Sequence, residues 1–222
     1  MNAMTTINDT LLDDGWMLDA ASGAAPSAVR VLATCHAAMN PAAGRTLDAA
    51  EAAFGALLES GPRAPMQTGA LASILSRLGD APAEPEPRQA PVELPAPLAR
   101  AFAASRQTSW RRRIGGYGEI VLDTLEEPGV RARLLSIPPG KGSPEHDHGG
   151  EELTLVLSGA IRDGDRMFAR GDVLEGAPGR PHRPRVEGAE TCVCFAVELG
   201  DLKLTNPIYA FADRLLGRRF TH

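Results

Sequence analysis

Three histidines and one glutamate in the second half of this 222-residue chain have the types and spacing of metal ligands. His146 and His148 are separated by one residue, so on an extended strand both imidazoles point to the same face. Glu152 follows four residues later, after a Gly149-Gly150 turn that can bring the chain back toward the same centre. His182 would join them from a later strand or loop. These four side chains predict one divalent-metal site.

The ligand types narrow the possible metals but do not identify one. Imidazole nitrogens with one carboxylate oxygen suit zinc, iron, manganese or nickel. Zinc is the preferred assignment. Glu152 is chosen over its neighbour Glu151 because successive strand residues face opposite ways, which leaves Glu151 facing solvent. Lone histidines are usually surface residues, but the same-face pair, the placed carboxylate and the flanking glycines together favour a metal site.

The sequence around these ligands is typical of a small all-β domain. After residue 97, short runs rich in Val, Ile and Leu are interrupted by glycine and proline, as in GEIVLDTL, VRARLLSI, LTLVLSG and TCVCFAVELG. Many short strands at this spacing indicate a barrel or a sandwich. The last stretch, IYAFADRLLGRRF, has helical spacing instead.

The first eighty residues have helical spacing. Alanine and leucine dominate, and apolar residues recur every three or four positions. Glycine, proline or asparagine follows each amphipathic stretch. The stretches cover residues 11–21, 26–39, 47–58 and 71–78. Three or four short helices with such joins predict a small helical bundle.

A proline-rich segment separates the two halves. Residues 82–97, PAEPEPRQAPVELPAP, contain six prolines mixed with glutamates, which favours an extended and semi-stiff connection. We therefore predict an α+β protein, in which a small N-terminal helical bundle precedes a C-terminal β-barrel. The predicted divisions are a helical domain at residues 1–80, a linker at 81–97 and a metal-binding barrel domain at 98–222.

Charge and composition limit the partners and the compartment. Residues 1–80 carry eight acids against four arginines, within a net charge of −5, so a basic protein partner is favoured over direct nucleic-acid binding. No apolar run has the length of a membrane span, and the N-terminus has acids where a secretory signal needs basic and apolar residues. Three cysteines without regular spacing indicate reduced thiols. We expect a cytoplasmic protein with no membrane contact.

Cys192 and Cys194 share one face of a predicted strand. As redox thiols they would suit an oxidant sensor, yet a disulfide between such near neighbours is strained. We interpret both as small core residues, and Cys35 in the same way.

Two segments resemble the motifs of cupin barrels. Residues 140–159 resemble the first motif: a glycine, five residues, His-x-His, three residues, a glutamate, six residues and a glycine. Residues 171–182, GDVLEGAPGRPH, resemble the second. Here the Pro-Gly-x-x-His segment is one residue tighter than usual, and Val186 stands where the motif often has asparagine. The resemblance implies a cupin fold holding the same four ligands, and the inclusion of His182 depends mainly on it.

The order of parts is similar to that of the ChrR anti-sigma factors over almost the whole chain. A short helical domain, a proline-rich linker and a metal cupin with a Cys-x-Cys strand follow one another in both. The resemblance implies that the helices bind an extracytoplasmic-function sigma factor and keep it from core RNA polymerase. It also implies that the cupin responds to an oxidative signal, such as singlet oxygen, or to a small ligand.

The helical half departs from that family at a zinc site. Family members usually end the second helix with His-x-x-x-Cys-x-x-Cys, whereas here His36 is followed by Asn40 and Ala43 at the cysteine positions. No earlier histidine is present. Cys35 lies about 100° round a helix from His36 and cannot replace a missing thiolate. We therefore expect no structural zinc in this half, whose folding must depend on apolar helix faces.

A metal-dependent enzyme is the alternative hypothesis. A site with three histidines and one glutamate could serve a cupin dioxygenase or isomerase, with the helical domain used to form a homodimer. The acids near the ligands are Glu145, Asp147 and Glu151. We assign none of them a catalytic role, because lone acids beside a metal usually support its ligands or lie on the surface. A regulator would co-elute with a sigma factor, whereas an enzyme would elute alone and turn over dioxygen with iron.

Overall fold

Helices precede strands along the chain, which confirms the predicted α+β class. The computed structural model describes residues 10–80, 88–143, 145–200 and 202–203. Its α-helices are α1 (Asp14–Ser22), α2 (Ser27–Met39), α3 (Pro41–Ser60), α4 (Ala70–Ser76) and α5 (Ala96–Ala104). The first four correspond to the four amphipathic stretches of the sequence. No helix in these described parts has the length and apolar character needed to cross a membrane.

Helix α5 was not predicted, and it begins inside the predicted linker. Pro97 lies in its first turn, where a missing N–H costs nothing. Leu98 and Phe102, one turn apart, are fully buried, and this burial outweighs the proline-rich surroundings. Linker residues 81–87 and the C-terminal stretch 208–220, predicted to be helical, lie outside the described residues. The domain boundaries stay predictions.

The residues after α5 form antiparallel strands in three sheets. The large sheet has the order β1-β2-β3-β10-β5-β8, a small sheet has the order β7-β6-β9, and β4 pairs with β11. The strands are β1 (Arg111–Arg112), β2 (Gly118–Val121), β3 (Val130–Ile137), β4 (Asp147–His148), β5 (Glu151–Ser158), β6 (Ala160–Asp163), β7 (Arg166–Ala169), β8 (Val173–Gly176), β9 (Arg185–Glu187), β10 (Cys192–Leu199) and β11 (Leu202–Lys203).

The large sheet buries both of its faces. On β5, Leu153 and Leu155 belong to an apolar cluster that also contains residues of α1, α2, α3 and α5. Val156, on the opposite face of the same strand, packs with Ile161 and Phe168 of the small sheet. One face of the large sheet therefore supports the helices, and the other lines the interior of the barrel.

Helix α2 connects the helical part to the barrel. It contacts β3, β5 and β10, and the apolar cluster runs without interruption from α2 into the sheet. The buried His36 adds a polar link: its Nδ1 donates to the carbonyl oxygen of Gly171 (2.7 Å), and its Nε2 accepts the backbone N–H of Leu12 (3.3 Å). Burial lowers the pKa of His36, which keeps the ring neutral for these two bonds.

The residues that stand at the family's cysteine positions have other structural roles. The side chain of Asn40 accepts the N–H of Ala42 and caps α3, while Ala43 is buried within the shared cluster. Helix α3 is therefore held by this cap and by the apolar cluster that it shares with the sheet.

Replacing Leu32 tests whether the helices and the barrel share one core. Leu32 of α2 is fully buried, so Leu32→Ala should lower the free energy of unfolding by about 2–5 kcal/mol. Urea unfolding followed by circular dichroism and by tryptophan fluorescence should give one coincident transition. Leu58→Ala, at a side chain that is 82% exposed, is the matched control and should change stability by less than about 0.5 kcal/mol. Two separate transitions would contradict a shared core.

Candidate metal centre

Four predicted ligands come together from three parts of the chain. His146 and His182 pair through their backbones, each N–H donating to the other carbonyl (3.1 and 3.0 Å). His148 lies on β4 and Glu152 near the start of β5. Within the described residues, they form a group whose ligand atoms all lie within 4.8 Å of one another. His182, which depended mainly on resemblance, lies in the same group as the other three.

The distances between these atoms suit a metal ion. Nε2 of His182 lies 2.8 Å from Nε2 of His148 and 3.2 Å from Nε2 of His146. Oε2 of Glu152 lies 3.6 Å from Nε2 of His148 and 4.0 Å from Nε2 of His182. A tetrahedral ion with bonds of 2.0–2.1 Å would separate its ligand atoms by about 3.3 Å. The four observed distances bracket that value, so the residues fit a bound metal.

Carboxylates outside the ligand group orient two of the histidines. Oδ2 of Asp163 lies 3.3 Å from Nδ1 of His182, which leaves Nε2 of that ring as the lone-pair nitrogen facing the site. Asp147 accepts the N–H groups of His148 (2.8 Å) and Gly179 (2.9 Å). Asp147 therefore joins the first histidine segment to the loop that carries His182.

Glycines make room for the ligands at two close approaches. A Cβ on Gly176 would lie 2.6 Å from Nε2 of His148, so β8 can pass the site only without a side chain there. A Cβ on Gly150 would lie 1.6 Å from the carbonyl oxygen of Leu199. Gly150 thus allows the predicted turn between His148 and Glu152 to pass against the end of β10.

The electrostatics of the group favour an added cation. Burial, followed by the nearby carboxylate of Glu198, raises the pKa of Glu152 to about 8. Burial and the neighbouring rings of His146 and His182 lower the pKa of His148 to about 4. At neutral pH His148 is thus ready as a neutral ligand, while the carboxyl of Glu152 is mostly protonated and a bound cation would favour its ionised form.

An ion-pair network lies beside Glu152. Glu198 of β10 stands directly opposite Glu152 in the strand register and pairs with Arg133 (2.5 Å). Arg133 also pairs with Glu119 (3.1 Å), and Glu119 in turn forms an ion pair with Arg113. Glu198 was not predicted to belong to the site, although strand alternation places it on the same face of β10 as Cys192 and Cys194. The supporting role of Asp163, for which the sequence offers no signal, was not predicted either.

The expectation that Glu151 faces solvent is wrong. Its carboxylate is half-buried and accepts the indole N–H of Trp16 in α1 (2.9 Å). Strand alternation does turn Glu151 away from the site, but helix α1 covers that face of the sheet.

The two cysteines of β10 lie inside the barrel, with their sulfur atoms 3.5 Å apart. Both are fully buried, as is Cys35. The hydrogen bond with Cys192 and burial raise the pKa of Cys194 well above its usual value, which keeps this thiol protonated. Their surroundings favour the interpretation as small core residues.

A cavity of about 570 Å³ reaches the ligand group. His182 lies in its wall, together with Arg166, Arg180 and Glu175 from the barrel. The other side is formed by residues 11–14, which lead into α1. A small molecule entering here would touch both the candidate ligand His182 and the helical part.

Metal binding should release a proton from Glu152. With a pKa of about 8 the metal-free carboxyl is mostly protonated at pH 7, yet it must ionise to bind a metal. Calorimetry with Zn²⁺ in buffers of different ionisation enthalpy should show about one proton released at pH 7, and less release as the pH rises above 8. Glu152→Gln should release close to none. Absence of release from the wild-type protein at pH 7 would contradict the raised pKa.

A side chain at Gly176 should damage the site. In Gly176→Ala the added methyl group would collide with His148, so Zn²⁺ affinity should fall about tenfold or more. Gly55→Ala is the control, because a Cβ there meets no atom within 4 Å. Equal Zn²⁺ affinities for the two variants, measured by competition with a chelating dye, would contradict this role for Gly176.

Comparisons with known proteins agree with this architecture. The family of the ChrR Cupin-like domain matches residues 98–202. The Anti-sigma-E factor ChrR of Cereibacter sphaeroides is 32% identical over 197 residues, covering 88% of this chain and 92% of that protein. A chain in the crystal structure of Rhodobacter sphaeroides SigE in complex with the anti-sigma ChrR matches with a TM-score of 0.69 and 31% identity. That match covers 85% of this chain and 97% of the other. The chain belongs to the ChrR family of anti-sigma factors, with a C-terminal ChrR cupin-like domain.

Proposed function

We propose that this chain binds an extracytoplasmic-function sigma factor through its helical half and responds to a signal received at a metal-loaded cupin. The observation that carries the first part is an exposed apolar surface at the end of α3 and on α4. None of the residues of α4 is buried. The large apolar side chains exposed in this region, called here the α3–α4 surface, are Leu57, Leu58, Met66, Leu71, Ile74, Leu75 and Leu78.

The exposed apolar character of this surface indicates a binding partner. Contiguous exposed apolar residues on a globular protein usually mark an interaction site. Leu71 and Leu75 lie one turn apart on the same side of α4, with 67% and 55% of their side chains exposed. An amphipathic helix presenting such a row can fill an apolar groove on another protein.

The chemistry and the family both support a sigma factor as that partner. Residues 1–80 carry twice as many acids as arginines, which suits a basic protein surface. The similar anti-sigma factor ChrR was crystallised in complex with SigE. Asn40 and Ala43 stand where the resemblance leads us to expect zinc-binding cysteines, yet α3 packs into the apolar cluster shared with the barrel, which holds the start of the α3–α4 surface in place without zinc.

The second part of the proposal concerns the metal and the signal. His146, His148, Glu152 and His182 would hold one divalent ion, with zinc preferred and iron, manganese or nickel as alternatives. The cavity beside His182 gives an oxidant or a small ligand a route to the site. Elemental analysis of the purified protein should find about one metal ion per chain. More than one would contradict a helical half without zinc.

Charges placed on the α3–α4 surface should weaken sigma binding. The double variant Leu71→Asp and Leu75→Asp changes exposed residues only, so it should fold normally and still bind Zn²⁺. Its affinity for the extracytoplasmic-function sigma factor of the same genome should fall about 30-fold or more, because buried apolar anchors dominate such interfaces. Co-purification and titration calorimetry would measure the loss.

Met167→Asp is the matched control for that experiment. Met167 is also an exposed apolar residue (38%), but it lies on β7 of the barrel. It should leave sigma binding unchanged. A wild-type chain that elutes alone in the presence of the sigma factor, or one that turns over dioxygen with iron, would contradict the regulator and favour the enzyme.

A further inference from the structure

Two neighbouring strands present paired residues to the metal group and to α1. At the start of β5, Glu151 and Glu152 are consecutive and therefore face opposite sides of the sheet. At the end of β8, Glu175 and Gly176 do the same. The strands are in register here, with Glu152 opposite Gly176 and Leu153 opposite Glu175.

The inward members of these pairs belong to the metal group. Glu152 places its Oε2 3.6 Å from Nε2 of His148. Gly176 lies directly against the same nitrogen, since any Cβ on it would collide with the imidazole ring. The spacing of β5 and β8 at this point is thus tied to the position of His148.

The outward members hold the beginning of α1. Glu151 accepts the indole N–H of Trp16 (2.9 Å), and Glu175 accepts the backbone N–H of Asp13 (2.7 Å), the residue that caps the helix. Glu175 therefore lies at the positive end of the helix dipole, which strengthens its contact with α1. The segment that enters α1 also runs along β8, where Val173 donates to the carbonyl oxygen of Thr10 (2.9 Å).

We propose that the seating of α1 on the barrel and the binding of the metal are linked through the start of β5 and the end of β8. When Glu152 and His148 are held in coordination, these strand ends are fixed, and so are the outward carboxylates that receive α1. In the metal-free protein the strand ends are less restrained, and α1 is held less firmly. The inference rests on the proposed metal site but does not require the sigma factor.

Linkage is reciprocal, and this makes the proposal measurable from both sides. If the metal strengthens the seating of α1 by some factor, complete loss of that seating must lower metal affinity by the same factor. A contact that merely stabilises the fold would lower stability without changing metal affinity. Metal affinity is therefore the readout that separates the two roles.

The first measurement is hydrogen exchange on the full-length chain, with Zn²⁺ bound and after its removal by a chelator. With Zn²⁺ bound, the amide hydrogens of peptides covering residues 10–18 should exchange more slowly by a factor of about five or more. Peptides covering α4 should exchange equally in both states, because α4 contributes no buried residue. Equal exchange at residues 10–18 in a chain shown to bind Zn²⁺ would overturn the proposal.

The second measurement is Zn²⁺ affinity across a set of variants. Glu151→Met and Trp16→Phe each remove one partner of the contact and should each weaken Zn²⁺ binding about fivefold or more. The double variant should be no weaker than either single variant, because both act through one hydrogen bond. Glu151→Gln keeps an oxygen acceptor for the indole and should bind Zn²⁺ more tightly than Glu151→Met.

Glu127→Met is the matched control. Glu127 also joins a helix to the barrel, accepting the backbone N–H (2.8 Å) and hydroxyl (2.6 Å) of Ser27 at the start of α2, but it adjoins no metal ligand in the chain. It should leave Zn²⁺ affinity unchanged. Equal affinities for all variants would overturn the linkage and leave the proposed function standing. A wild-type chain that binds none of the four candidate metals would overturn both.

Discussion

The burial of both faces of the large sheet governs the rest of this structure. Because successive strand residues face opposite ways, every position on β5, β8 and β10 is committed either to the helices or to the barrel interior. Leu153 and Leu155 take the first side, and Glu152 and Val156 the second. A shift of one residue in register would exchange the apolar contacts of the helices with the polar ligand of the site. Helix packing and ligand geometry are therefore set by the same strand pairing.

The sequence predicted the parts of the site that depend on local geometry. The same-face placement of His146 and His148, the turn before Glu152 and the four N-terminal helices all follow from short-range spacing. The contribution of His182 could be reached only through the resemblance, because its backbone pairing with His146 joins segments far apart in the chain. Helix α5 was not predicted because the prolines at its start are typical of an extended linker. The burial that stabilises this helix depends on tertiary packing.

The error over Glu151 shows where sequence reasoning stops. Alternation correctly turned this residue away from the ligands, but it cannot tell what covers the outer face of a sheet. The same limit applies to Glu198 and Arg133, whose pairing joins two strands within the barrel. Glu198 and Glu152 place two carboxylates side by side with one arginine between them and Glu119. Such a group is costly to bury unless a proton or a cation balances it, so the charge of Glu152 depends on the ion pairs beside it.

His36 joins three parts of the chain by hydrogen bonding. Its imidazole bonds through both of its nitrogens to backbone groups, the carbonyl of Gly171 and the N–H of Leu12. These two hydrogen bonds join α2 to the barrel and to the segment before α1. In this chain the join between α2 and the barrel consists of hydrogen bonds and apolar packing that involve none of the four candidate metal ligands.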